Sequence, residues 1–249
     1  MSSSALDVAP VDTLNPGPPA LASGQTEQTI AFPHVAVCHH PLVQHNLTLL
    51  RDSQTDAERF RAAMARVGGF LLQEATRELP VVSVLTQTPL CTTQTQILDP
   101  SVSVVMAPIL RAGLTFADIA LQLVPSAKVY HIGLYRNEET LEPVTYYNKL
   151  PNGNSKTLDY TTARVFVLDP MLATGGSAIA ALDILKGLGV DATHVTFVCL
   201  IASPEGIAAL YRAHPEVKVY TGAVDDCLND KGYILPGLGD AGDRAYSTH

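Results

Sequence analysis

The chain has 249 residues, 47% of them apolar and 16% charged, and carries a net charge of −8. That apolar content can fill a substantial core in one α/β domain or a small pair, while the acidic balance argues against a nucleic-acid partner held through its phosphates. No apolar run approaches the roughly 20 residues of a membrane span, and the four cysteines form no C-x-x-C pair, so a cytoplasmic protein with reduced thiols is expected.

Residues 1–33 are rich in Ser, Pro, Gly and Thr, and Asn15-Pro16-Gly17-Pro18-Pro19 forbids a helix there. They read as a disordered tail ahead of one folded domain over 34–249. The tail has neither Lys nor Arg and no apolar h-region, unlike a mitochondrial presequence or a secretory signal. Cys38-His39-His40 and His45 are zinc-ligand types, but a zinc site needs four ligands and no second cluster lies nearby. Asp56 is placed to cap a long helix with Phe60, Met64, Val67, Leu71, Leu72 and Ala75 on one face, and Gly68-Gly69 marks where it could break.

Strands are expected over 81–85 and 91–98. The apolar run 102–107 reads as a third, ending at Pro108-Ile109-Leu110-Arg111-Ala112-Gly113. A helix follows to 123 with Phe116, Ile119, Ala120 and Leu123 inward. Arg111 is either an ordinary surface arginine or a planar, permanently charged fork suited to diphosphate oxygens. Residues 128–135 form another strand, and the polar run Arg136-Asn137-Glu138-Glu139-Thr140-Leu141-Glu142-Pro143 reads as a solvated loop. Asn152-Gly153-Asn154-Ser155 is a turn.

The segment Val165-Phe166-Val167-Leu168-Asp169-Pro170-Met171-Leu172-Ala173-Thr174-Gly175-Gly176-Ser177 is the most informative. It starts as a buried parallel strand and stops at an acid followed by proline. It then turns into a helix pattern with Ile179, Leu182, Leu185 and Leu188, and with Ala178 and Ala181 between them. A helix entrance with free N–H groups attracts phosphate, and two glycines let it come close. The ionised Asp169 is acceptor-only, which suits two ribose hydroxyls. The alternative is a plain strand-to-helix turn with Thr174 as N-cap. No G-x-G-x-x-G and no Walker loop is present.

A strand over 195–201, a helix begun by Pro204 with Ile207, Leu210 and Tyr211 inward, and a strand over 217–220 complete the alternation. Such alternation implies an α/β fold: a mostly parallel twisted sheet with helices on both faces. Ligands in these folds sit beyond the carboxyl ends of the strands. Arg111, Arg136 and Asp169 all follow predicted strands, so one pocket can gather them. Residues 232–244, with four glycines and a proline, break any regular element.

Leu168 to Ser177 resembles the phosphoribosyl-pyrophosphate (PRPP) loop of uracil phosphoribosyltransferases, which share Asp-Pro where the wider class has two adjacent acids. The likeness runs from about His40 to Arg244. It implies the type I phosphoribosyltransferase fold, with a flexible β-arm beginning at Arg136 and reaching through Tyr146, Tyr147 and Lys149, and with a C-terminal hood. It implies transfer of phosphoribose from PRPP to uracil, giving UMP and diphosphate. Arg111, Arg136, Asp169, Pro170, Met171, Leu172, Ala173, Thr174, Gly175, Gly176, Ser177 and Asp240 would bind PRPP, with Arg111, Arg136 and Asp169 as the catalytic set. Backbone around Ile234, Gly239, Asp240 and Ala241 would pair with uracil. The resemblance also implies Mg²⁺ held mainly by PRPP and a homodimer or larger homo-oligomer, and leaves GTP as a candidate effector. Two rivals stand beside it: a phosphoribosyltransferase for another base, and a nucleotide-sensing regulator without catalysis.

Overall fold

Apolar strands and amphipathic helices alternate through most of the chain. In the computed structural model, residues 33–136, 143–151 and 158–248 are described; residues 1–32 of the expected tail, 137–142 of the polar run and the turn at 152–155 lie outside these. In chain order the elements are β1 (Val35–Val37), α1 (Pro41–Arg51), α2 (Ala57–Ala75), β2 (Val81–Gln87), β3 (Thr92–Leu98), β4 (Val104–Leu110), α3 (Leu114–Leu123), β5 (Lys128–Val129), β6 (Ile132–Arg136) and β7 (Pro143–Asn148). There follow β8 (Arg164–Leu168), β9 (Met171–Leu172), α4 (Gly176–Gly187), β10 (Val195–Ala202), α5 (Pro204–Ala213), β11 (Lys218–Val224), β12 (Cys227–Leu228), β13 (Ile234–Leu235) and α6 (Ala241–Tyr246).

Nine strands make one sheet, ordered β1-β11-β10-β8-β4-β6-β7, with β5 beside β4 and β9 beside β10. Among the described residues of this sheet, only the β6–β7 pair is antiparallel. The sheet is mostly parallel and covered on both faces, as the alternation predicts. Along β8 the faces alternate: Val165 and Val167 pack with Ala178, Ala181, Leu182 and Leu185 of α4 and Ile207 and Leu210 of α5. Phe166 and Leu168 pack instead into the cluster of α1, α2 and α3, with Leu50, Phe60, Met64, Leu71 and Phe116. All these side chains are buried, each worth roughly 1.5–3 kcal/mol for the larger ones.

Several expectations are corrected. Helix α2 runs unbroken through Gly68-Gly69; a Cβ on Gly68 would stand 2.9 Å from the Phe116 ring, so the glycine seats α3 against α2. Strand β4 reaches Leu110 rather than ending at 107, which leaves Arg111 directly at its tip. The strand expected over 128–135 is two pieces, β5 and β6. Their gap falls opposite Pro108, which has no N–H to donate to a ladder. Leu123, at the last residue of α3, is 46% exposed, and Ala117 takes the inward position instead. His40 is the N-cap of α1: its Nδ1 accepts from Leu42 N–H at 3.1 Å, and its ring stacks on Phe70. Residues 232–244 are not wholly irregular, because β13 and α6 lie within them.

This C-terminal hood is tied to the body by two arginines. Arg51 of α1 forks onto Asp225 at 2.6 and 2.8 Å and donates to the Gly237 carbonyl at 2.9 Å, while Asp225 accepts from Gly237 N–H at 2.9 Å. Arg244 donates to the carbonyls of Leu50, Leu238 and Asp52, and its guanidinium lies 4.3 Å over the Phe60 ring. The Asp225 side chain is only 3% exposed, whereas Arg51 keeps 28% and can be rehydrated. Asp225→Ala should therefore cost about 2 kcal/mol, the scale of hydrogen bonds to charged groups. In a chain of this size the melting temperature should drop by roughly 4–8 °C, measured by calorimetry.

Candidate active site

At the carboxyl ends of β4, β6 and β8 lies a cleft of about 420 Å³. Three strand ends and the hood build it. From β4, Gly113 N–H bonds the Ile109 carbonyl at 2.8 Å, and the Leu110–Arg111 peptide is cis. A Cβ on Gly113 would stand 2.2 Å from the Leu168 carbonyl. Glycine there lets the Arg111 loop lie against the end of β8, beside Asp169.

Past β8 the strand breaks at Asp169, and the chain is stitched to β10, through β9, and to α5. Leu200 N–H donates to the Pro170 carbonyl at 2.9 Å, Ser203 N–H to the Leu172 carbonyl at 2.9 Å, and Ser203 Oγ to the Ala173 carbonyl at 2.6 Å. The same Ser203 hydroxyl caps α5 through Gly206 N–H. A Cβ on Gly206 would stand 2.2 Å from the Ala173 carbonyl, so α5 presses directly on the loop.

The N-cap of α4 is Gly175, not Thr174. Its φ of +84° lies in the left-handed region that favours glycine, and no side chain caps the helix. Thr174 Oγ1 sits 3.5 Å from Gly176 N, too far for a strong bond. The first-turn N–H groups of α4 therefore face the cleft with the positive end of the helix dipole behind them.

Asp169 keeps part of its surface open to the cleft. Burial of the rest pushes its carboxyl up to about 7, Asp240 across the cleft adds to this, and a hydrogen bond from Met171 N–H opposes it. Asp240 is the N-cap of α6, accepting from Asp243 N–H at 2.9 Å. Arg111 reaches the mouth of the cleft, where Nη2 donates to Asp243 Oδ1 at 2.8 Å and Nη1 to Thr248 Oγ1 at 3.1 Å.

The cleft lining brings together Arg111, Asp169, Met171 to Ser177, Ile234 and Gly239 to Ala241. Pro170 does not join them: it is buried, with its carbonyl used by β10. Arg136 ends β6, and its side chain lies outside the described residues. Tyr135 and Tyr146 of the β6–β7 arm also line the cleft, with ring centroids 6.2 Å apart; Lys149 does not. A second cavity of about 210 Å³ lies beneath α2, lined by Glu78, Arg164, His194 and Lys218. Lys218 pairs with Glu78, and the Arg164 charge acts on both Glu78 and Asp191.

The family model for uracil phosphoribosyltransferase matches residues 37–248. The chain belongs to that family. A uracil phosphoribosyltransferase of Dictyoglomus thermophilum is 52% identical over 214 residues, covering 86% of this chain and 99% of the relative. One of Streptococcus sanguinis is 51% identical over 213 residues, covering 85% and 97%. Among solved structures, the AQ2163 protein from Aquifex aeolicus is 40% identical with a TM-score of 0.77, covering 86% of this chain and 98% of that one. The family match spans the cleft, both arginine-tied hood segments and the helices beneath them. Arg51, Asp225 and Asp243 escaped the sequence reading. Arg51 and Asp225 are 174 residues apart with no motif to join them.

No helix among the described residues is long and apolar enough to cross a membrane.

Proposed function

We propose that this chain transfers the phosphoribosyl group of PRPP to uracil, yielding UMP and diphosphate in the cytoplasm. The observation that carries the reading is one cleft in which an arginine fork, a partly buried acid, an uncapped helix entrance and the hood converge. The uncapped start of α4, with Thr174 and Ser177, takes the 5′-phosphate. Asp169 accepts from the ribose hydroxyls. Arg111 holds the diphosphate, with Arg136 as a second contact. Backbone groups at Ile234 and at Gly239 to Ala241 pair with the base.

The uracil N1–C1 bond forms as the C1–O bond to diphosphate breaks, and the N1 proton leaves to water. Catalysis is chiefly positioning, together with stabilisation of charge on the departing diphosphate. The ionised Asp169 also favours the positive charge that develops on the sugar.

Mg²⁺ fits the donor set. Asp169 and Asp240 line the cleft with carboxylate oxygens. That suits an ion bound through one or two carboxylates plus substrate phosphates. When bound, it neutralises diphosphate charge. A homo-oligomer belongs to the same proposal, supported by the β2–β3 hairpin, which forms its own sheet and exposes Leu85 and Leu90 at 80% and 94%.

The test is turnover of labelled uracil with PRPP and Mg²⁺, with and without GTP. UMP and diphosphate should appear in equal amounts. No UMP from folded protein would favour the regulator, and preference for a purine would favour another phosphoribosyltransferase.

A further inference from the structure

Arg111, Asp243 and Thr248 close a ring of hydrogen bonds at the mouth of the cleft. Arg111 Nη2 donates to Asp243 Oδ1 at 2.8 Å and Nη1 to Thr248 Oγ1 at 3.1 Å; Thr248 Oγ1 in turn donates to Asp243 Oδ1 at 2.7 Å. We propose that Asp243 is a positioning residue that sets the Arg111 fork for the diphosphate, with Thr248 as its second brace.

The Arg111 side chain is 57% exposed, so nothing in the packing alone fixes its direction. A guanidinium carries five N–H donors. The ring uses two, which leaves three for oxygens of a ligand. As a charge, Asp243 works against anion binding, because it subtracts from the positive field at the cleft mouth. What it supplies is geometry: a planar fork held in one plane and one direction before the ligand arrives. A misplaced contact group can cost about a hundredfold in rate, so orientation outweighs the lost attraction. Asp243 also sits in the first turn of α6, where its N–H is held by the Asp240 cap. One short helix therefore links the segment read as the base pocket to the arginine read as the diphosphate contact.

This inference rests on the reading of Arg111 as a diphosphate contact, and a double-mutant cycle separates the two. Asp243→Ala should raise the KM for PRPP and the calorimetric Kd for diphosphate by about tenfold, the loss of one charge-assisted bond, with the KM for uracil within about twofold. Asp243→Asn, which keeps a neutral acceptor, should fall between. In an Arg111→Ala background, Asp243→Ala should raise neither value further. A full tenfold effect in that background overturns the proposal, because Asp243 would then act independently. A fall in KM for PRPP when Asp243→Ala is made with Arg111 present also overturns it, since the ring would be competing with the ligand. If Arg111→Ala itself leaves PRPP use unchanged, the reading of Arg111 fails and takes this one with it. Thr248 is exposed, so Thr248→Val should leave folding intact. It should raise the KM for PRPP by about threefold only while Arg111 is present, and no change would overturn the brace.

Discussion

Cytosine should be used on the order of a thousandfold less well than uracil. Uracil presents an acceptor, a donor and an acceptor at O2, N3 and O4. Cytosine keeps O2 but turns N3 into an acceptor and O4 into an amino donor, so two of three roles reverse. Each mispaired buried polar group costs roughly 1–3 kcal/mol, and each 1.36 kcal/mol is about tenfold. The discrimination needs a hood that cannot rearrange to suit the wrong base. The hood is held in that way: Gly237 and Gly239 sit at φ of +64° and +78°, and a Cβ on Gly237 would stand 2.1 Å from the Ile234 carbonyl. Asp225 takes the Gly237 N–H, and Arg244 takes the Leu238 carbonyl. Competition between the two labelled bases for one pool of PRPP reads the ratio of kcat/KM directly. Rates within tenfold of each other would remove Ile234 and Gly239 to Ala241 from base recognition. Asp225→Ala should shrink the ratio, because a loosened hood can turn a backbone group toward the wrong partner.

The parts of this site that sequence reveals are those whose chemistry lies in adjacent residues. A strand that stops at Asp169 and re-enters a helix at Gly175-Gly176 states its own geometry, since a continuous apolar run, a proline stop and a glycine entrance are local. The hood's role could be inferred only by resemblance, because its conformation depends on Arg51, which comes from α1. The Arg111–Asp243–Thr248 ring was not legible for the same reason: 132 residues separate the first two. Strand ends depart from the sequence pattern where a ladder overrides composition. Pro108 reads as a strand stop, yet β4 continues to Leu110 because β6 offers it a further partner. Thr174 reads as an N-cap by propensity, but the left-handed turn at Gly175 moves the helix start one residue on and leaves the hydroxyl only a 3.5 Å contact with Gly176 N.

Asp169→Asn should lower kcat/KM for PRPP by roughly a hundredfold without unfolding the protein. Asn keeps the size and one acceptor but loses the charge. A charge-assisted hydrogen bond to the ribose is worth about 1.5–3 kcal/mol, and the lost attraction to the charge developing on the sugar adds to it. The pH dependence makes the test sharper. The Asp169 carboxyl is raised from 3.8 to about 7, chiefly by burial. Only the ionised form accepts from both hydroxyls. In the free enzyme kcat/KM for PRPP should therefore rise with pH through a midpoint near 7, and the Asn variant should lack that step. Stability runs the other way. The folded state holds a proton that the unfolded chain releases above its ordinary value of 3.8. The Asp169 contribution is thus complete below that pH and is lost as pH rises through about 7. Asn carries no charge to bury, so at pH 8 the variant should melt no lower than the native chain. A residue that merely ended a strand would show neither behaviour, since Asn is equally at home in a turn. Native kinetics across the pH range in a folded Asp169→Asn protein would remove Asp169 from ribose binding. A variant both slower and less stable at pH 8 would make it a structural acid instead.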